Sequence, residues 1–406
     1  MREHAVWIRV VLFSLTFFFI RFADAMVSFW APAQIEQALS SAAMVGVIVS
    51  MQSVVGFFSD AIFPHLLRAS KSRALLFWAI VLAGLTSFAL AEAAVKPWIL
   101  LFLITMLGWG IYYELVSFAT YQFMGNAVPQ HMRSGAWGVA DIFLNLAYFL
   151  GPLAAPLLLA RGVPWIESAI LLLLAAALGF LWLTNEYREP GKRVERQRVD
   201  PWEELRRWSV LSSVIWPAIV VSLLLGFIDA TFWVTGVLWT QKLATQSSWG
   251  NWLLPMYQLP PLFIGFALAK WGVYRGKKIL AEKFLIVAGI MLATVFFVKN
   301  IQALLAIVFV SSTALSLAYP LLEGVYTDIV ARMGREKKDL IGLINSVGNI
   351  AYVIWPPLAG ILTTLSGERL TFSLVGAMAA LAAFVLLFVT PKKLRLPQQE
   401  IQTWDE

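Results

Sequence analysis

GVADIFLNLAYFLGPLAAPLL, residues 138–158, has a near copy further along the chain: GLINSVGNIAYVIWPPLAGIL, residues 342–362. Gly138, Asn145, Ala147, Tyr148, Pro152 and Ala155 reappear 204 positions on as Gly342, Asn349, Ala351, Tyr352, Pro356 and Ala359. Each copy is apolar over about 20 residues, the length that carries a helix across the hydrocarbon core of a bilayer. A second echo runs at offset 205: Phe22-Ala23-Asp24-Ala25 and Phe227-Ile228-Asp229-Ala230 each set a carboxylate inside a long apolar segment. A third, at offset 209, pairs Gly56-Phe57-Phe58-Ser59-Asp60 with Gly265-Phe266-Ala267-Leu268-Ala269. A unit repeated at half of 406 residues, with its site between the copies, is the arrangement these echoes predict.

Composition places the unit in a membrane. The chain is 60% hydrophobic and 14% charged, with a mean hydropathy of +0.75; a soluble chain carries about 25% charged residues. Its 18 Trp and 28 Phe suit interfaces and lipid-facing surfaces. The absence of Cys excludes disulfides and thiolate metal sites, and the three His show no i, i+4 pair, so no metal is expected. The first apolar run carries Arg21 and Asp24 and has no small-residue cleavage site, so it reads as a span rather than a signal peptide.

Twelve spans are predicted: 6–30, 42–63, 74–94, 98–124, 134–160, 164–184, 210–240, 250–272, 279–298, 302–332, 338–365 and 369–390. With both termini in the cytoplasm, 25 of the 31 basic residues fall inside and 5 outside, with Arg21 in the membrane. The pI near 9.5 therefore reports topology rather than a nucleic-acid partner. The long hydrophilic stretch 185–209 divides the chain, and Asp200-Pro201 followed by Trp202 to Trp208 predicts a short surface helix there. The expected organisation is a six-helix bundle over 1–184, a cytoplasmic linker over 185–209, a second six-helix bundle over 210–390 and a cytoplasmic tail over 391–406.

At this point the sequence resembles the major facilitator superfamily of secondary transporters. The resemblance covers the whole chain in topology. Locally, Gly56, Asp60, Arg68, Lys71 and Arg73 are similar to the family's loop between spans two and three, with the basic cluster displaced. Gly265, Lys270, Gly272, Arg275, Lys277 and Lys278 resemble the same loop in the second half, with Ala269 where the acid would stand. Pro129 to Arg133 resembles the Arg-bearing loop before span five, and Gly151-Pro152 the Gly-Pro kink of antiporter members. No Arg occurs between Lys96 and Arg133, where many proton antiporters of the family carry one. The resemblance implies an all-α fold of two six-helix bundles in parallel pseudo-two-fold repeat. It also implies alternating access around a site lined mainly by spans one, four, seven and ten, and gating roles for Asp60 and Arg133. No nucleotide-binding loop is present, so an ion or solute gradient is the expected driving force.

Six ionisable residues lie well inside the predicted spans: Arg21, Asp24, Glu114, Asp141, Asp229 and Glu323. Five acids against one base leave the interior about four charges negative if all ionise, which favours protons or a cationic solute as neutralising partners. Arg21 and Asp24 share a helix face at i, i+3, as a self-neutralising pair or as a charged contact for solute or gate. Asp229 has no basic residue within two turns of its own span, which suits a carboxyl that takes up and releases a proton. A structural clasp with Arg21 is the competing reading, and Trp233 at i+4 stands as a ring wall beside it. Glu114 follows Tyr112 and Tyr113, and Glu323 follows Tyr319. Aromatics beside an acid suit an organic cation, and a neutral buried acid is the alternative. Asp141, Asn145 and Tyr148 form one polar stripe, and Asn345, Asn349 and Tyr352 its repeat, as cavity lining or as interhelical hydrogen bonds. Gln34, Gln52 and Gln258 are secondary candidates, and Asp328 with Arg332 reads as a surface pair.

The expectation is a monomeric, non-enzymatic transporter of a small organic solute in the plasma (inner) membrane. It is proton-coupled, tilted to cationic or amphipathic compounds, and needs no cofactor beyond the coupling ion. The substrate and proton residues expected are Arg21, Asp24, Tyr113, Glu114, Asn145, Tyr148, Asp229, Trp233, Glu323, Asn349 and Tyr352, with Asp60, Arg133 and Asp141 at the gates. A neutral polar solute such as a sugar, a lipid or lysolipid cargo, or a non-transporting membrane sensor or assembly subunit are the alternatives.

Overall fold

Lipid offers backbone groups no outside partner, so a chain this apolar must satisfy its N–H and C=O groups within helices. The computed structural model describes residues 2–67, 70–183, 201–264, 276–330 and 337–390, and these are helices joined by short turns, with no strand among the described residues. The first half contains α1 (Arg2–Leu39), α2 (Ala42–Leu66), α3 (Ser72–Val95), α4 (Ile99–Asn126), α5 (Arg133–Leu159) and α6 (Val163–Leu183). The second contains α7 (Pro201–Thr231), a π-helical turn (Phe232–Gly236), α8 (Val237–Gln246), α9 (Leu253–Gln258), α10 (Lys277–Thr294), α11 (Ile301–Val330) and α12 (Lys337–Val389).

Ten stretches are long and apolar enough to cross a membrane, α7 through α8 counting as one. The last of the ten breaks in two at Gly367, whose φ of 80° only glycine adopts without strain. With that break the described residues carry eleven apolar crossings, and α9 (Leu253–Gln258) lies where the eighth predicted span begins. One expectation fails: residues 201–209 are not a separate surface helix. Pro201 opens α7, as suits a residue with no N–H to satisfy at a first turn, and the helix runs on without a break into the seventh crossing. Residues 184–200, Arg68, Gly265, Lys270, Gly272, Arg275, Arg332 and the tail 391–406 lie outside the described residues, as do the side chains of Asp60 and Asn345.

Within the first half α1 packs on α5 and α6, and α4 on α2 and α3; within the second, α12 packs on α7 and α10, and α10 on α11. Between halves, α2 lies along α12, α5 meets α9, and α1 meets α8. Buried rings such as Trp30, Trp109 and Phe232 fill the interior, while Trp182, Phe297 and Phe388 point outward as lipid-facing groups do.

The second half also holds an ion pair that straddles the predicted start of span nine at 279, with Lys278 outside it and Glu282 inside. Lys278 and Glu282, both buried, meet at 2.7 Å in the first turns of α10, and Lys278 Nζ also donates to Thr390 Oγ1 (2.5 Å) at the end of α12. Asp328 pairs with Lys277, whose Nζ reaches both carboxylate oxygens at 2.9 and 2.8 Å; its expected partner Arg332 lies outside the described residues. The two neighbouring lysines thus tie α10 to α11 and to α12. Removing one partner of a buried pair strands the other charge, at a cost of about 3–5 kcal/mol, whereas apolar replacement of both is near neutral. Lys278→Met should therefore lower the melting temperature of the purified protein sharply, and Lys278→Met with Glu282→Leu should restore most of it. A double variant no more stable than the single one would show that the pair itself, not the orphaned charge, holds these helices.

Candidate functional site

A cavity of about 420 Å³ lies between the halves. Two of its lining residues are carboxylates, Glu114 and Asp229, and none is Lys, Arg or His. Trp109, Tyr113, Tyr148, Trp233 and Tyr352 supply rings, and Gln52, Gln258 and Asn349 supply amides.

Asp24 lies against this cavity, fully buried. Its Oδ1 accepts from Trp109 Nε1 at 2.9 Å, and its Oδ2 accepts from Tyr148 OH at 2.6 Å and from Arg21 Nη1 at 3.3 Å. Arg21 is held between the rings of Phe17 and Tyr113, 5.1 and 5.2 Å from their centroids. Asp24 therefore has a cation and two neutral donors, and Arg21 is spent on its own helix neighbour rather than on Asp229. The clasp across the halves that the sequence left open is not formed.

Asp229 occupies the matching place in α7. Tyr257 OH donates to its Oδ1 at 2.5 Å, and Tyr352 OH donates to its Oδ2. Asp24 with Tyr148 and Asp229 with Tyr352 are thus the same pair, made twice at the repeat offset. Their second donors differ: an indole and an arginine on one side, a phenol on the other. No Lys or Arg pairs with Asp229 among the described residues. The helix widens to a π turn three residues after it, a distortion found often at functional sites. That turn carries Trp233, whose ring lies edge-on to Tyr148 of the other half, centroids 5.5 Å apart at 67°. Trp233 is therefore a bridge between halves as well as part of the cavity wall.

Glu114 reaches the cavity beside Asn349 of α12. Both pack on Gly56 of α2: a β-carbon placed there would lie 3.0 Å from Glu114 Oε1 and 2.9 Å from Asn349 Oδ1. Glu323 does not join it. It is exposed on α11 and outside the cavity lining. The physical reason is register: the aspartates repeat at 205, so Tyr319 stands at Glu114's place and Glu323 lies one turn further on. Of the polar stripe on α5 only Tyr148 arrives, since Asp141 is exposed and Asn145, half-buried, does not line the cavity. Arg133 holds the end of α4, donating to Val128 O at 3.1 Å and Gly125 O at 2.5 Å, as a cation at a helix C-terminus does. Gln34 accepts from Trp30 Nε1 at 3.3 Å.

Trp109 and Tyr257 were missed by the sequence reading. The available signal was general: a buried indole N–H or phenol O–H in hydrocarbon needs an acceptor, and few acceptors exist.

An all-helical chain of two halves with a central polar cavity has the architecture of a membrane carrier, and comparison with known proteins agrees. The family model of the Major Facilitator Superfamily matches residues 13–335, and again 237–404. The chain belongs to that family, whose members are transporters. No curated protein matches it. Among solved structures it is similar to the human organic anion transporter MFSD10 (TETRAN), at 18% identity and a TM-score of 0.67, covering 93% of this chain and 98% of that one. It is also similar to a bacterial homolog of the human lysosomal transporter Spinster, in an inward-facing and unoccupied conformation, at 11% and 0.72, covering 97% and 99%. The nucleoside transporter NupG is similar at 11% and 0.71, covering 94% and 100%. At these identities the likeness is one of fold.

The two aspartates should answer differently to neutralisation. Asp24→Asn leaves Arg21 buried without its counter-charge, while Asp229→Asn leaves only hydroxyls to rearrange. The first should cost about 3–5 kcal/mol and the second about 1–3 kcal/mol, read as thermal stability in one detergent. Equal losses, or a larger one at Asp229, would refute the assignment of Arg21 to Asp24.

Proposed function

We propose that this protein is a proton-coupled carrier of a small organic solute with a cationic or amphipathic character, working by alternating access. The observation that carries the reading is the charge of the cavity: two carboxylates, five rings and no basic side chain. A carboxylate in low dielectric needs a counter-charge. Asp24 has one in Arg21. Asp229 has hydroxyl donors only, so a proton or the solute's own cation is the partner left to supply it. Rings on both sides of the cavity offer faces to an organic cation.

In this reading Asp229 is the proton carrier, Glu114 and the rings of Tyr113, Trp233 and Tyr352 face the solute, and Arg21 with Asp24 sets the first half's wall. Asp60, Arg133 and Asp141 belong to the gates. The protein acts as a monomer in the plasma (inner) membrane with both termini cytoplasmic. A neutral polar solute is the second reading, favoured by Gln52, Gln258 and Asn349 in the lining.

Coupling free energies of about 1–3 kcal/mol correspond to roughly 5–150-fold effects. Accumulation driven by a pH gradient in proteoliposomes should fall within that range in Asp229→Asn, with insertion unchanged; wild-type flux in the variant sinks the proton assignment. A thermal-shift screen separates the solutes. Quaternary ammonium compounds should raise the melting temperature and sugars should not, and the opposite pattern selects the neutral solute.

A further inference from the structure

The contact of α2 with α12 joins the halves at backbone distance. A β-carbon at Gly46 would lie 2.0 Å from Pro356 O, and one at Gly360 would lie 2.3 Å from Ala42 O. Next to them Ala43 N, in the first turn of α2 where helical partners are lacking, donates to Thr364 Oγ1 at 3.2 Å. The positive-inside count assigns this end of the molecule to the outside. Followed inward along α2, the seam reaches Gly56, and there it meets Glu114 and Asn349. Gly360, Pro356 and Asn349 descend α12 in step with Ala42, Gly46 and Gly56 on α2, as antiparallel helices require.

We propose that Gly56 and Asn349 are positioning residues for Glu114, and that they tie its carboxylate to closure of this seam. Glu114 belongs to α4 and Asn349 to the opposite half. They share one glycine surface only while α2 and α12 lie in contact. Parting the helices withdraws Asn349 from Glu114, and any side chain at Gly56 would displace one oxygen or the other. What occupies Glu114, a proton or a cationic group, is thereby linked to whether the outer end is shut, since a ligand shifts a conformational equilibrium only by its differential interaction with the two states. The solute-facing role of Glu114 rests on the function proposed above; the seam and its tie to Asn349 do not.

The chain contains no Cys, so introduced pairs report without background. Ala43→Cys with Thr364→Cys spans the seam, and Lys277→Cys with Asp328→Cys lies within the second half as an internal reference. Cross-linking is measured in proteoliposomes without solute, as the ratio of the two pairs. Gly46→Val and Gly360→Val should lower the ratio roughly fivefold or more, and Gly56→Ala, Asn349→Ala and Glu114→Gln should lower it by a factor of about two to five. Unchanged ratios in the glycine variants would overturn the seam. A seam that opens in Gly46→Val but keeps its wild-type ratio in Asn349→Ala, Glu114→Gln and Gly56→Ala would overturn the tie to Glu114. A variant that fails to fold loses the reference pair too and is replaced by Asn349→Ser or Glu114→Asp, read the same way. Because no solute is present, a failed substrate screen leaves these outcomes intact.

Discussion

A carboxylate in hydrocarbon must find partners or give up its charge, and much of this molecule can be read from how two aspartates meet that demand. They sit at equivalent places in a duplicated unit, and each receives a hydroxyl from the equivalent tyrosine, Tyr148 or Tyr352. Duplication alone would make them alike. The first half then adds Arg21, one turn before Asp24, and an indole N–H from Trp109. The second half adds only Tyr257. One aspartate has a cationic partner, and the other has none among the described residues.

The same economy of partners shapes the helices around Asp229. Thr231 returns its hydroxyl to Phe227 O at 2.7 Å and accepts Trp355 Nε1 at 2.7 Å, so the turn holding Asp229 is tied to α12. Phe227 stacks on the same indole, centroids 4.6 Å apart. The π turn follows at once. A widened turn aims the next side chain differently from a regular helix, and here that side chain is Trp233, which crosses to Tyr148. Tyr148 is also the residue that holds Asp24. The two aspartates are therefore joined through one ring contact between halves, without touching.

Fold and site were legible in the sequence to different depths. Hydropathy sufficed for the ten membrane-length stretches among the described residues, because a bilayer imposes length on any chain that crosses it. The repeat sufficed to place Asp24 with Asp229, at offset 205, and Tyr148 with Tyr352, at offset 204, but not for Asn145, which stays outside the cavity that Asn349 lines. Glu323 falls outside the cavity because the aspartates repeat at 205, which puts Tyr319 and not Glu323 at Glu114's place. Asp141 was included on helical stripe alone, which fixes a face but not what that face meets. Lys278 fell one residue outside the predicted ninth span, so the ion pair it makes with Glu282 inside that span was not legible. Trp109 and Tyr257 carry no charge and break no pattern, so only the packed structure distinguishes them from the other buried rings.

An alternating carrier needs both of its conformations within a few kcal/mol of each other. The contacts between these halves fit that need. They are a polar hydrogen bond at Ala43, close backbone approach through small residues, and one edge-to-face ring pair, each of modest strength. The ion pairs Arg21–Asp24, Lys242–Glu368, Lys277–Asp328 and Lys278–Glu282 each lie within one half. Under the function proposed above, one ionic contact from a solute at Glu114 or Asp229 is comparable in energy to the difference between two such conformations.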